Sequence, residues 1–388
     1  LREDGDQLRI DLRLIETPSG RTLWAQGYDR QAKDIFAVQQ ELAQAVASAL
    51  ALRMKLGRST SPPPDPEVFR EYLELRHVFN ARPTGEQYRE AEIALDALAA
   101  RAPDFAPVHG LLALNLASHL EPGREQAALP EAMQALKTDP DSTYAHATLG
   151  ELACMRYEWN DCMKELRTAL AFNPADTVMN LLVGMRLARL GYGKEALDRF
   201  KIAYAVDPLS YWTNANLGTE LDVLGRHEEA RSYLDALPAL DEKPDPWTAE
   251  SRWRNALWRN DLVAARDIAA HMPDDFAWKT PYIAFSAALS NPMLWPDAMA
   301  KLRAAQEQSG AADWLLLHAP QPNADEVAHL YSKKTLFTGK FIWTREYAAF
   351  RRNPAFSDFL RRTKIIDYWN ANGWPPQCKP DGDGARCE

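Results

Sequence analysis

From about residue 140 to residue 240 the apolar pattern of the chain repeats every 34 residues. Leu149-Gly150, Val183-Gly184 and Leu217-Gly218 stand one period apart, and Pro140, Pro174 and Pro208 close successive periods. Within one period, Val183, Leu187 and Leu190 recur at helical spacing, and Gly191-Tyr192-Gly193 interrupts the run. Ala196, Phe200, Ala203 and Tyr204 then form a second apolar stripe. The spacing predicts two antiparallel helices per period. Gly184 and Ala196 are small where the two helices must approach, and Phe200 is expected to fill the groove towards the next repeat. Pro208 stops the second helix because it lacks a donor and restricts Asp207 before it. Each hairpin leaves one apolar face bare until a neighbour stacks on it, so the expected fold is mainly α, a helical-repeat solenoid.

A different period governs the first 57 residues. Gln7-Leu8-Arg9-Ile10-Asp11-Leu12-Arg13-Leu14-Ile15 alternates polar with apolar, Thr17-Pro18-Ser19-Gly20 reads as a turn, and Thr22 to Tyr28 reads as a returning strand. A helix is expected from Asp34, carrying Ile35, Phe36, Val38, Leu42, Val46 and Leu50. A hairpin and one helix are too little for a domain, so residues 1–57 read as the end of a truncated α/β domain, with any anchor or targeting segment lying upstream. Residues 58–66 form a proline-rich linker, and 67–310 carry the repeats, which degrade beyond Pro244. Residues 311–388 hold Trp314, Phe337, Phe341, Trp343, Tyr347, Phe350 and Phe356 without a period, as expected of a cap over exposed repeat surface.

The repeat resembles the tetratricopeptide family. Ala196-x3-Phe200 followed by Pro208 matches its second-helix pattern, with Ala230-x3-Leu234 and Cys162-x3-Leu166 as variants. The family's aromatic at the fourth position is replaced by His146, Asn180 and Asn214, which predicts a degenerate array. The resemblance implies a binding module with a concave groove lined by first helices. By register that groove presents Tyr144, Ala147 and Glu151, then Val178, Leu181 and Met185, then Trp212, Ala215 and Thr219. The surface is apolar and aromatic with one acid, which suits a protein or peptide partner; a small-molecule signal is a further candidate. Tyr144 and Trp212 read equally as inter-repeat packing. The Lys/Asn clamp that chaperone-binding members use for a terminal carboxylate is absent from these positions.

A second resemblance covers most of the chain. Arg9 to Ile15, Leu23-Trp24, Tyr28-Asp29-Arg30, Asp34 to Gln39, Tyr72 to Arg76 and Ile366-Asp367-Tyr368-Trp369 are similar to the region around the repeats of bacterial one-component signalling proteins. Their architecture joins a winged-helix or nucleotide-cyclase domain, often one membrane span, an α/β segment and tetratricopeptide repeats, as in membrane-anchored regulators of the CadC type. The resemblance implies the sensory part of a membrane-anchored transcriptional regulator, or else a cytoplasmic scaffold linked to a cyclase or kinase. It carries over no catalytic residue.

Charge and cysteine usage refine this picture. The net charge of −9 is unevenly spread, with +7 over residues 333–364 and −15 over residues 61–332. The basic segment either packs against the acidic body or docks an anionic partner. Direct nucleic-acid binding is not expected from a chain of pI about 5.5. A disulfide is expected between Cys378 and Cys387, which bracket a polar loop, and it would place the region in an oxidising compartment such as a periplasm, the alternative being the cytoplasm. Cys154 and Cys162 flank a helix turn that could bring them together; the preferred reading leaves them free, Cys162 being a small packing residue, and a second disulfide is the alternative. The eight histidines show no ligand spacing, Gly191-Tyr192-Gly193-Lys194 lacks the spacing of a phosphate loop, and no nucleophile motif occurs. Neither a metal, a cofactor nor an enzymatic activity is expected; a dimer stays open, and a motif-free enzyme is the third reading.

Overall fold

The computed structural model describes residues 2–4, 7–16, 21–31, 65–80, 85–118, 124–240, 246–309 and 340–388. Strands β1 (Arg2–Asp4), β2 (Gln7–Glu16) and β3 (Arg21–Gln31) form an antiparallel sheet in that order. The β2/β3 pair is the expected hairpin, with Ile10 opposite Tyr28 and Leu14 opposite Trp24. Arg2–Asp4 pairs in front of it, an additional strand too short to show alternation. The helix expected from Asp34, the linker up to Pro64, and Trp314 and Phe337 lie outside the described residues.

Fourteen helices follow in seven hairpins among the described residues: α1 (Pro66–Asn80), α2 (Gly85–Arg101), α3 (Ala106–Ser118), α4 (Arg124–Thr138), α5 (Thr143–Met155), α6 (Trp159–Phe172) and α7 (Thr177–Arg189). After them come α8 (Gly193–Val206), α9 (Tyr211–Val223), α10 (His227–Leu240), α11 (Pro246–Trp258), α12 (Leu262–Ala270), α13 (Lys279–Ser290) and α14 (Trp295–Ser309). The terminal segment carries α15 (Ala348–Arg351), α16 (Pro354–Arg362), α17 (Ile365–Asn372) and a two-stranded hairpin, β4 (Cys378–Asp381) and β5 (Gly384–Cys387).

The chain divides into two compact units. Unit 1 holds residues 1–149 and 171–173. Its core gathers Tyr72, Leu75, Leu95, Leu98, Phe105, Leu111 and Leu112, with Phe69, Tyr72 and Phe105 ring against ring. Tyr144 packs on this core, half-buried.

Unit 2 holds residues 150–170 and 174–388. Its repeats obey the expected period in atomic detail. A Cβ placed on Gly150, Gly184 or Gly218 would stand 2.8, 2.5 and 2.8 Å from Leu166, Phe200 and Leu234 respectively, one period apart each time. Phe200 therefore packs inside its own hairpin against Gly184, where the sequence suggested the next repeat. The turns repeat too: Tyr157, Gly191, Gly225 and Asn260 all take a left-handed conformation. The amides of Glu158, Tyr192, Arg226 and Asp261 then reach back to Ala153, Leu187, Leu221 and Ala256, which satisfies carbonyls at the end of each first helix.

The fourth-position residues show how the array departs from the family pattern. Asn180 donates to the Pro174 carbonyl at 2.9 Å and Asn214 to the Pro208 carbonyl at 2.8 Å. His146 Nε2 lies 3.0 Å from the Pro140 carbonyl. Each residue thus ties the start of a repeat to the proline that closes the one before it. A polar tether has replaced an aromatic plug without loss of the hairpin geometry.

Candidate protein-binding groove

Within unit 2, α7 and α9 carry most of the residues that the register expects to line a groove. Asp176 caps α7 by accepting from the Met179 amide at 3.0 Å, and Ser210 caps α9 by accepting from Thr213 at 3.3 Å. These caps fix where each helix begins. Leu181 and Thr219 are buried, Met185 is half-buried, and Trp212 is 44% exposed with its ring set edge-on to Tyr211. Tyr144 belongs to unit 1, where it packs as described. Of Leu181, Met185, Trp212 and Thr219, all expected to line a groove, Trp212 is thus the most exposed, and Leu181 and Thr219 offer little to solvent.

Glu151 is buried and engaged. Arg186 forks onto it, through Nε at 3.0 Å and through Nη2. The single acid of the groove is thus neutralised by a bidentate partner one helix away, so the site carries no net negative charge from it. Arg189, three residues on, lies over the Tyr157 and Trp159 rings at 5.9 and 5.2 Å. Burial, with Arg186 nearby, lowers its guanidinium pKa to about 10. Neither arginine stood out in the sequence, because both occupy positions that would be read as ordinary polar faces.

Val206, the last residue of α8, and Leu209, just before α9, are also 53% and 75% exposed. What this surface can do chemically is shed water onto an apolar partner; it presents aromatic and aliphatic area with little charge.

Below the groove helices lies a buried polar cluster. Asp222 accepts from Asn255 at 2.7 Å and faces His227 Nδ1 at 3.0 Å, while Arg254 donates to Glu250 at 3.1 Å. Glu220 and Lys340 meet at 3.6 Å. Burial pushes the Glu220 carboxyl up and the Lys340 ammonium down, each shift being opposed by the other partner's charge.

Both cysteine pairs are bonded. Cys378–Cys387 joins directly opposite residues of β4 and β5, so the stretch read as a loop is a hairpin turning at Asp381-Gly382-Asp383-Gly384. Cys154–Cys162 is also a disulfide, which corrects the reading of these two as free. The left-handed turn at Tyr157 brings the end of α5 to the first turn of α6, with Cα atoms 5.0 Å apart.

Among the described residues, no cluster of His, Cys, Asp and Glu could hold a metal ion, and no helix is long and apolar enough to cross a membrane.

No family model matches the chain. A curated protein of Rhizobium meliloti (strain 1021), "Putative adenylate cyclase 3", is 29% identical over 163 residues, 38% of this chain and 27% of the relative. The chain thus spans about a quarter of that relative's length. Among solved structures, PilW, a type IV pilus biogenesis factor, is similar at 19% identity over 55% of this chain and 96% of its own, with a TM-score of 0.42. PilF of Pseudomonas aeruginosa matches at 19% identity over 59% and 99%, TM-score 0.42, and MamA at 17% over 40% and 90%, TM-score 0.30. By its own hairpins, its 34-residue period and its paired glycine and large apolar positions, the chain has a tetratricopeptide-like helical-repeat fold.

Proposed function

We propose that this chain is the non-catalytic sensory module of a membrane-anchored bacterial signalling protein, lying outside the cytoplasm and taking a protein or peptide in the groove of α7 and α9. The observation that carries the location is the pair of disulfides, one inside a repeat and one in the terminal hairpin. Such bonds persist in oxidising compartments and are rare where thiol reductants are abundant. The groove reading is supported by exposed Trp212 and half-buried Met185 on the first helices of successive repeats. Two effectors fit the architecture that the sequence resembles. A winged-helix transcriptional regulator is the first. A nucleotide cyclase is the second, and the partial likeness to a protein named as an adenylate cyclase favours it.

Alkylating the unreduced protein taken from its native compartment is expected to find no free thiol. Four free thiols would reject the extracytoplasmic location and leave a cytoplasmic scaffold. Each bond closes a loop of about ten residues, so reduction is expected to lower stability by about 2 to 3 kcal/mol per bond. A photo-crosslinker replacing Trp212 should capture the partner in cells, and Met185→Glu should abolish that capture while the far-UV spectrum is unchanged. Capture that survives Met185→Glu would remove the groove from consideration.

A further inference from the structure

Every contact from the terminal segment to the repeats of unit 2 skips far along the chain. Trp343 donates to the Arg189 carbonyl at 3.2 Å, Trp369 to Leu190 at 2.9 Å and Gln377 to Gly191 at 2.7 Å. Three consecutive carbonyls at the end of α7 are thereby capped by side chains 154 to 186 residues away. The service is returned: Trp159 donates to the Thr363 carbonyl at 2.6 Å, closing α16, and the Tyr192 hydroxyl donates to Gly373, closing α17. At one end of the segment Asn372 reaches Asn160 at 2.7 Å. At the other, Lys340 meets Glu220 and lies 5.3 Å from the centre of the Phe200 ring, while Arg254 sits 4.2 Å over Phe341. The contacts run from the first turn of α6 to α11.

We propose that residues 340–388 are a splint, which couples the hairpins from α5/α6 to α11/α12 into one cooperative body and holds α7 and α9 at fixed spacing. In a solenoid each repeat meets only its neighbours, so stability is a sum of local terms and any hairpin can open alone. Contacts that bridge four hairpins at once remove that freedom, because opening any one of them detaches the splint from the rest. The buried Glu220–Lys340 pair fits the same role: such pairs add little net stability but penalise any docking that separates the charges. One disulfide lies within the splint and the other in a repeat that it touches. Cys378–Cys387 ties the β4/β5 hairpin whose Ala385 bonds Ser357 of α16, and Cys154–Cys162 fixes the turn that presents Trp159 and Asn160. The proposal stands whether or not the groove binds a partner.

Hydrogen exchange on the full chain tests it by asking whether a change at one end of the splint is felt at the other. Lys340→Met should speed exchange of the amides of residues 157–162 by about fivefold, and Trp159→Phe should do the same at residues 224–227. Leu302→Ala, a buried position in α14 outside the splint, should leave both turns as they were. Faster exchange confined to the hairpin next to each substitution would overturn the splint. So would an equal response to Leu302→Ala, since cooperativity would then need no splint. If either end variant fails to fold, Asn372→Ala, at an exposed hydrogen bond, puts the same question to residues 224–227.

Discussion

Gly184→Ala is expected to destabilise unit 2 by about 2 to 3 kcal/mol, an unusual penalty for a substitution that favours helix formation in isolation. The added methyl would stand 2.5 Å from Phe200 Cε1 and 2.9 Å from Cδ1. Phe200 is fully buried, with Lys340 over its ring, so relief must come from separating α7 from α8. Phe200→Ala alone should cost about 3 to 5 kcal/mol by opening a cavity. The double variant places a small methyl in that cavity, and its loss should fall short of the sum of the two single losses by about 1 kcal/mol or more. Urea unfolding followed by tryptophan fluorescence measures all three. Strict additivity would show that Gly184 is not there to admit Phe200, and the close-approach account of the repeat would fail with it.

That close approach was legible because it recurs. Three Gly positions and three large partners one period apart leave a signal that no single hairpin would give, and the packing follows from helical spacing alone. The fourth position is legible as a departure from the family pattern but not as a contact: the structure hydrogen-bonds His146, Asn180 and Asn214 to the preceding prolines. A polar residue six places after a proline looks like a lost plug until the turn is built.

The residues expected to line a groove differ in exposure and pairing in ways the sequence hides. Glu151 reads only as the one acid among apolar positions because Arg186 stands 35 residues away, two helices further along the chain, and only the stacking of repeats joins them. The disulfide between Cys154 and Cys162 was hidden by its own setting, since Cys162 also fits a small packing site; the turn geometry at Tyr157, which no glycine announces, is what closes the distance. The terminal hairpin could have been found, because Asp-Gly between opposed cysteines is a turn signal. The aromatic residues after 340 could not have been placed. They carry no period, and the partners they meet in the repeats are more than 80 residues away.

The second large effect is expected at Trp369. Its indole is fully buried, 4.9 Å from the Trp374 ring and 6.0 Å from Trp343, and its Nε1 donates to the Leu190 carbonyl at 2.9 Å. Trp369→Ala removes that volume, for about 3 to 5 kcal/mol, and orphans a buried helix-terminal carbonyl, for about 1 kcal/mol more. Trp369→Phe keeps most of the volume and loses the donor, so about 1 to 2 kcal/mol is expected. The difference between the two variants separates packing from capping, which neither alone can do. Chemical unfolding at matched denaturant slopes provides both values. Were Trp369→Phe as stable as the parent protein, the indole would be filling space rather than capping α7, and the reciprocal bond from Trp159 to Thr363 would lose its reading as the matching half of the same device.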